Sequence, residues 1–557
     1  MFTRRFWPLV CLLLAGMAIL EISSARQENQ TYDEAVHLAA GYSYLKTGDY
    51  RMSQDHPPLA KYLVAFPLLF LHLDLPLDDP SWKRGDAFAF GERFLYHNRL
   101  PADTILFLSR LPTMLVSLCL GLAIALWTRK EFGAPAALLA LLLYAFDPTI
   151  LAHSRYTTND VAVTLFVLLA CLAWGSFLRS RKTTSLIAAS ILLALAMVTK
   201  FSAVFLLPTF AILYVILGRK DRALFTERLV LRSVGSLLAA IVLIVALAYA
   251  PQAKKLLPVT ADQKAADPSL EMLADIQASS GIGRALIWLG GALGLQQHPF
   301  LLGINEQATH NAQGHQSYLL GQTSQFGRWY YFPVAFAVKT PAATLAALLL
   351  AAVLAFRFRR QLDVRCFLLA VPVAVYLAFS SWSSVNIGIR HLLPIYPFLF
   401  IFTGAMLAGF DWRRKQIVIS MIAIALVAES LSVYPHPLAF FNVLAGGPGN
   451  GTRYLSDSNL DWGQDLENLN SYMEARHIPR VCLSYFGSAD PDYYGIAHDY
   501  LPVSSETGQR ADLNCVAAVS ATLLYGAYVP ADDYAWLRER TPVAKVGYSI
   551  YVYDLRH

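Results

Sequence analysis

Four polar residues in one segment near the N-terminus have side chains suited to a transfer reaction. Asp33 and Glu34 are adjacent acids that follow the first apolar run, and a carboxylate close to a hydroxyl group can act as its general base. In the same segment His56 and Lys61 flank a pair of prolines, which restrict the backbone and could present both bases rigidly. Two structural alternatives stay open: the acids as solvated loop residues, and the prolines as a helix start.

Further candidates stand where later apolar runs begin. Arg155 and Asp160 lie in the short polar segment 147–160, and Arg390 precedes another apolar run. A guanidinium group can neutralise an anionic ligand such as a phosphate. The structural alternatives are that Asp160 caps the helix after it, and that Arg390 snorkels to the membrane surface, as Lys200 could. Together these acids and cations predict one site on one face of the membrane.

Long apolar runs indicate which elements must position these residues. Hydrophobic residues make up 56% of the 557-residue chain and charged residues 15%, below the roughly 25% of an ordinary soluble domain. Apolar runs separated by short basic segments are typical of membrane-spanning helices. The sequence therefore predicts an α-helical polytopic membrane protein with about eleven transmembrane helices, at residues 6–22, 104–127, 134–146, 161–178, 184–198, 201–217, 231–250, 333–356, 366–379, 391–408 and 416–433.

Lysine and arginine collect in alternate loops, which sets the expected orientation. Because cytoplasmic loops retain positive charge, we expect the N-terminus inside and the C-terminus outside. The net charge of +6 belongs to these loops and does not indicate a nucleic-acid partner. The first apolar run could also be a cleaved signal peptide, which would leave the remaining topology unchanged, but we favour a retained span. The basic segments are 4–5, 129–130, 179–182, 219–232, 357–365 and 413–415.

Three segments outside the predicted spans are too long to be simple connections. Residues 23–103 and 251–332 are predicted to be large external loops of a transmembrane domain that covers residues 1–433. The third segment, residues 434–557, is long enough to bury a core of its own. We therefore expect two domains, with the second outside the cytoplasm.

The C-terminal segment has the pattern of a small α/β domain. A helical pattern at residues 461–476 alternates with strand-like runs at 481–486, 515–521 and 544–553. Cys482 and Cys515 lie in this segment, on the oxidising side of the expected topology, and could pair.

Four short motifs carry a resemblance to a known family. The chain resembles the integral-membrane glycosyltransferases that use polyprenyl-phosphate sugars, namely the protein O-mannosyltransferases and the bacterial lipid A aminoarabinose transferases of the C-type fold. The resemblance covers roughly residues 1–433, and the aminoarabinose enzymes have lysine where His56 stands. The motifs are Asp33-Glu34, Asp55-His56-Pro57-Pro58-Leu59-Ala60-Lys61, Asn159-Asp160 and Arg390-His391-Leu392-Leu393-Pro394.

The resemblance implies an inverting glycosyltransferase that moves a hexosyl or pentosyl group from a polyprenyl-phosphate donor to a hydroxyl acceptor. The acceptor could be a lipid, a glycan or a protein. Asp33 is expected to be the general base, with Glu34 and Asp160 as further catalytic acids. The implied phosphate-binding residues are His56, Lys61, Arg155 and Arg390.

Several further expectations follow from the sequence. Asp160 with His56 could instead hold a divalent metal ion over the phosphate, since carboxylate oxygen and imidazole suit several such ions. The expected location is the bacterial inner membrane, with the site facing the periplasm. Residues 457–465 of the C-terminal segment are expected nearest to the site. The alternative function is a secondary transporter or lipid flippase, a class that places its ionisable residues near the bilayer midplane.

Overall fold

The computed structural model describes residues 5–251, 298–361, 363–502, 513–530 and 532–556, and most of these residues are helical. Residues 252–297 of the predicted loop 251–332 therefore lie outside the described residues. The helices of the described part are α1 Phe6–Ala25, α2 Glu34–Thr47, α3 Pro58–Ala65, α4 Pro80–Arg84, α5 Ala87–Tyr96, α6 Ala102–Phe132, α7 Ala134–Ala145, α8 Pro148–His153, α9 Asp160–Ser180, α10 Thr183–Met197, α11 Leu206–Lys220, α12 Glu227–Ala248, α13 Pro299–Gln313, α14 Tyr331–Lys339, α15 Ala342–Arg357, α16 Val364–Trp382, α17 Tyr396–Gly409, α18 Lys415–Ser432, α19 Leu466–Ala475, α20 Ala521–Leu524 and α21 Ala535–Arg538.

Within the described residues, eight helical segments are long and apolar enough to cross a membrane, or nine if one bent pair counts as a single span. The protein is thus an integral membrane protein. Two further predicted spans form α7, with 12 residues, and α10, with 15 residues. Both are shorter than the roughly 20 residues that a straight span requires. The total of about eleven crossings and their orientation remain predictions.

The predicted span 333–356 is a bent pair of helices rather than one straight helix. The chain bends by 111° between helices α14 and α15. Pro341 stands at the break, and a proline disfavours helical backbone in the residue before it. Thr340 is accordingly extended, and its carbonyl oxygen accepts a hydrogen bond from the Asn442 amide at 2.8 Å. A residue of the C-terminal segment therefore satisfies the backbone at this bend.

The first long loop folds into helices α2 to α5, which pack beside the spans. Pro58 begins α3, so the proline pair does start a helix, which was the structural alternative for these two residues. Helices α2 and α3 pack closely at Gly41, where an added Cβ would collide with the backbone carbonyl of Lys61. This close approach places the Asp55–Lys61 motif beside the helix that begins at Glu34.

The C-terminal segment contains a five-stranded sheet, as the sequence predicts for a small α/β fold. The strands of the described residues are β1 Ser317–Leu319, β2 Gln322–Ser324, β3 Val481–Ser484, β4 His498–Tyr500, β5 Val516–Ser520, β6 Ala544–Val546 and β7 Ile550–Asp554. The order in the five-stranded sheet is β4-β3-β5-β7-β6, with β3 parallel to β4 and β5, and β7 antiparallel to β5 and β6. Cys482 in β3 and Cys515, which precedes β5, form a disulfide bond.

The segment before this sheet is bound to the first loop by main-chain and amide hydrogen bonds. The Tyr32 backbone N–H donates to the Trp462 carbonyl at 2.9 Å. The Asn29 side chain donates to the Gly463 carbonyl and accepts from the Leu466 backbone N–H, both at 2.7 Å. Residues 457–465 therefore lie against the chain that leads into Asp33.

Candidate functional site

Two acids and two cations from four separate segments meet in one charged cluster. The Arg390 guanidinium lies 3.6 Å from a carboxylate oxygen of Asp33 and 3.6 Å from one of Asp160. Lys200 forms an ion pair with the other oxygen of Asp160. Asp160 is almost fully buried, whereas 29% of the Asp33 side chain is exposed. Asp33 is thus the carboxylate of this cluster that a ligand can reach.

Helix ends place these four side chains at the same end of the bundle. Asp33 immediately precedes α2, and Asp160 is the first residue of α9. Lys200 lies in the turn after α10, and Arg390 lies in the 3₁₀ turn before α17. A residue at a helix end can keep its charge near the aqueous edge while the apolar helix spans the bilayer.

The electrostatic surroundings of Asp33 suit proton transfer near neutral pH. Burial raises the pKa of Asp33 to about 6. The Arg390 guanidinium opposes this shift, and the carboxylates of Asp55, Asp457 and Asp160 add to it. A base of this strength is ionised at pH 7 and can still accept a proton as a bond forms.

The Asp55–Lys61 motif forms a second polar group around its own acid. The nearest side-chain nitrogens of His56 and Lys61 each lie 3.7 Å from an Asp55 oxygen, and the His56 ring stacks on His37 with centroids 5.9 Å apart. Burial lowers the pKa of His56 to about 4, against the attraction of Asp55. The imidazole is therefore neutral near pH 7, so it could bond a phosphate as a hydrogen-bond donor but would not neutralise its charge. Lys61 is buried and also bonds the Ser53 hydroxyl at 2.8 Å.

Glu34 points away from its neighbour Asp33 and forms a buried ion pair with Arg110. The closest nitrogen to oxygen distance is 2.7 Å, and both side chains are at most 1% exposed. Backbone N–H groups of Thr31 and Thr157 also donate to the Glu34 carboxylate, each at 2.9 Å. All of these contacts belong to the scaffold that shapes the loop.

Arg155 is likewise not brought into the charged cluster. It is fully buried and ion-paired with Glu28, and the Tyr156 hydroxyl bonds both partners. Its charge is thus already balanced within the protein. A phosphate could reach this guanidinium only by opening a buried pair, which is costly.

The predicted donors for a metal ion, Asp160 and His56, do not fit one in this arrangement. Asp160 faces two cations, Lys200 and Arg390, which would repel a divalent ion. Among the described residues, no three histidine, cysteine, aspartate or glutamate side chains cluster as metal ligands would.

Sequence reasoning left Lys200 as a snorkelling lysine and did not single out Trp462. The Trp462 ring lies beneath the Arg390 guanidinium, 4.3 Å from its central carbon. Residues 457–465 thus reach the charged cluster, as expected. No local pattern marks either residue, because the pairing of Lys200 with Asp160 and of Trp462 with Arg390 depends on contacts between distant segments.

One sequence profile matches part of the chain. Residues 104–249 match the family described as dolichyl-phosphate-mannose-protein mannosyltransferase. This match confirms the predicted resemblance over that part of the chain, which includes Asn159-Asp160 but not the motifs of residues 33–34, 55–61 and 390–394. No curated protein sequence matches the chain.

Solved structures of membrane glycosyltransferases show a distant likeness. ArnT from Cupriavidus metallidurans, bound to undecaprenyl phosphate, is 14% identical with a TM-score of 0.49, over 98% of this chain and 99% of that one. The archaeal oligosaccharyltransferase AglB from Archaeoglobus fulgidus, in complex with an inhibitory peptide and a dolichol-phosphate, is 12% identical with a TM-score of 0.41, over 99% of this chain and 74% of that one.

Proposed function

We propose that the protein is an inverting glycosyltransferase that moves a sugar from a polyprenyl-phosphate donor to a hydroxyl acceptor. The observation that carries this proposal is the placement of Arg390 between a partly exposed carboxylate, Asp33, and a buried one, Asp160. A base next to a cation is the pair that transfer from a phosphate leaving group requires. The matched profile of residues 104–249 supports the same class of reaction.

Asp33 acts as the general base. The acceptor oxygen forms a bond to the anomeric carbon while its proton passes to the Asp33 carboxylate. Hydroxyl groups are weak nucleophiles near neutral pH, so removal of the proton during bond formation accelerates the attack. A direct attack inverts the anomeric carbon and needs no covalent sugar-enzyme intermediate.

Arg390 stabilises the leaving phosphate, while Lys200 stays paired with Asp160. The bond between the anomeric carbon and the phosphate oxygen breaks, and its electron pair stays with the phosphate, whose charge grows. Fixed cations aimed at growing charge stabilise a transition state. Asp160 contacts both cations and orients them, and the neutral His56 can donate a further hydrogen bond. The phosphate is acidic enough to leave without a general acid.

We place the site and the C-terminal domain on the non-cytoplasmic side, in a bacterial inner membrane. The basic loops support this orientation. The disulfide between Cys482 and Cys515 supports it as well, because such bonds persist in oxidising compartments. The donor's lipid enters from the bilayer, so the C-terminal domain is free to shape the acceptor side.

An assay of the purified protein with a panel of polyprenyl-phosphate sugars tests the proposal. We expect one donor to be consumed, with release of polyprenyl phosphate and a product whose anomeric configuration is inverted. Movement of the intact lipid across vesicles without cleavage would instead establish the flippase alternative. A reporter fused after residue 557 should be active only outside the cytoplasm, and a cytoplasmic signal would overturn the orientation.

A further inference from the structure

Arg390 stands between two carboxylates without bonding directly to either. Its separations of 3.6 Å from Asp33 and Asp160 exceed hydrogen-bond length, whereas Arg110 and Glu34 approach to 2.7 Å. The Nε atom of Arg390 is buried and has no hydrogen-bond partner among the described residues. An arginine near carboxylates usually forms short bidentate pairs, so something must hold this guanidinium back.

The indole ring of Trp462 packs against the Arg390 guanidinium and can hold it in this position. The guanidinium carbon lies 4.3 Å from the ring centre, a distance typical of a cation–π contact. Trp462 is only 2% exposed. Its ring packs edge to face against His153 and Tyr156, with centroids 6.1 and 5.7 Å apart. Because both neighbours are buried, the ring cannot move without opening this cluster.

The segment that carries Trp462 also holds the backbone on both sides of the site. The Asn459 side-chain oxygen accepts from the Ile389 backbone N–H at 2.8 Å, next to Arg390. The Ser458 hydroxyl donates to the Ile387 carbonyl at 2.7 Å. The Trp462 carbonyl accepts from the Tyr32 N–H, next to Asp33. One short segment thus sets the separation between the general base and the cation.

We propose that Trp462 is a positioning residue that holds the Arg390 guanidinium off Asp33 and Asp160, so that its N–H groups remain available to the donor phosphate. This inference rests on the proposed function of the site. It assigns the segment 457–465 a role in donor use, in addition to any role on the acceptor side.

Removal of the ring should let Arg390 close on Asp33. The charged groups that face Asp33 are Arg390, Asp55, Asp457 and Asp160, and the titratable hydroxyl groups of Tyr32 and Tyr528 also interact with it. Only Arg390 among them is a cation, so its closer approach stabilises the ionised carboxylate and lowers the pH at which Asp33 titrates. A loss of packing alone would reduce the amount of folded enzyme without moving this titration.

The test is the pH dependence of kcat/KM for the donor in Trp462→Leu. We expect the acidic limb to move down by about one pH unit and the donor KM to rise on the order of tenfold. The matched control is Trp536→Leu, because Trp536 also lies beneath an arginine, Arg540, at 5.8 Å but lies outside the site. The control should keep the wild-type limb and KM.

Trp462→Phe guards against a leucine variant that does not fold. The smaller ring keeps the aromatic packing but attracts a cation less strongly, so the limb should shift in the same direction by a smaller amount. A wild-type limb in every folded Trp462 variant overturns the proposal, and so does an equal shift in the Trp536 control.

Infrared titration of the Asp33 carboxyl band separates this proposal from the proposed function. The band is assigned by subtracting the spectrum of Asp33→Asn, and it requires no turnover. A wild-type protein that consumes no donor refutes the proposed function. A band whose titration does not shift in the folded Trp462 variants refutes the positioning role, whatever the reaction is.

Discussion

Asp33 and Glu34 are neighbours in the chain, yet the structure gives them opposite environments. Glu34 is fully buried, pairs with Arg110 at 2.7 Å and accepts two backbone N–H groups. Asp33 is partly exposed, and its nearest cation, Arg390, stays at 3.6 Å. The Glu34 carboxylate already accepts hydrogen bonds on both oxygens, whereas the Asp33 carboxylate can still accept a hydrogen bond from a ligand.

The same contrast separates two arginines. Arg155 shares its charge with Glu28 and the Tyr156 hydroxyl in a closed, buried group. Arg390 lies 3.6 Å from a carboxylate oxygen of Asp33 and of Asp160, beyond hydrogen-bond length, although each of the two arginines has a buried Nε atom without a partner among the described residues. The arginine that bonds its carboxylate directly belongs to the scaffold, and the arginine that stays at 3.6 Å from its carboxylates belongs to the site.

The largest expected effect is a loss of turnover in Asp33→Asn. The amide is nearly isosteric but cannot accept the acceptor's proton, so turnover should fall on the order of a hundredfold or more, with thermal unfolding unchanged. Glu34→Gln should instead lower the stability and leave the turnover of the folded protein unchanged. It leaves Arg110 buried without its counterion, which costs about 3–5 kcal/mol of stability. Activity assays and thermal unfolding in detergent measure both. Near wild-type turnover in Asp33→Asn would remove the base assignment.

The next largest expected effect is a loss of donor use in Arg390→Ala, for which Arg155→Ala is the control. Loss of one charge-assisted contact costs about 1.5–3 kcal/mol, so donor kcat/KM should fall roughly ten- to a hundredfold. Arg155→Ala should destabilise the protein while its folded fraction keeps the wild-type donor KM. Measuring the rate against donor concentration in both variants gives the donor KM and kcat/KM that test this prediction. A defect of Arg390→Ala that depends only on acceptor concentration would place this arginine elsewhere in the reaction.

The smallest effect concerns pH. Because the base must be ionised, kcat/KM should rise with pH through about 6 and level off above it, as the pKa of Asp33 requires. Glu306 is a useful control, since burial raises its pKa to about 7. The pH profile of Glu306→Gln should keep its acidic limb near pH 6. If the limb disappears in this variant, the titrating group is Glu306 and not Asp33.

Much of the helical framework could be predicted from sequence because apolar length is a local property. The predicted runs at residues 104–127 and 161–178 correspond to α6 and α9. The bend at Pro341 was missed, since the apolar residues continue on both sides of it. The acidic and basic motifs near residues 33, 160 and 390 were recognised because their residue types are unusual beside apolar runs.

The sequence by itself determined that the chain enters a membrane and where its charged helix ends lie, because both follow from neighbouring residues. Only the tertiary structure decided which charges remain available. Arg155 found a partner in Glu28 and Lys200 one in Asp160, across 127 and 40 positions of the chain. Trp462, from the C-terminal segment of the chain, sets how close Arg390 comes to Asp33. Pairing between distant segments depends on packing, and no local pattern encodes it.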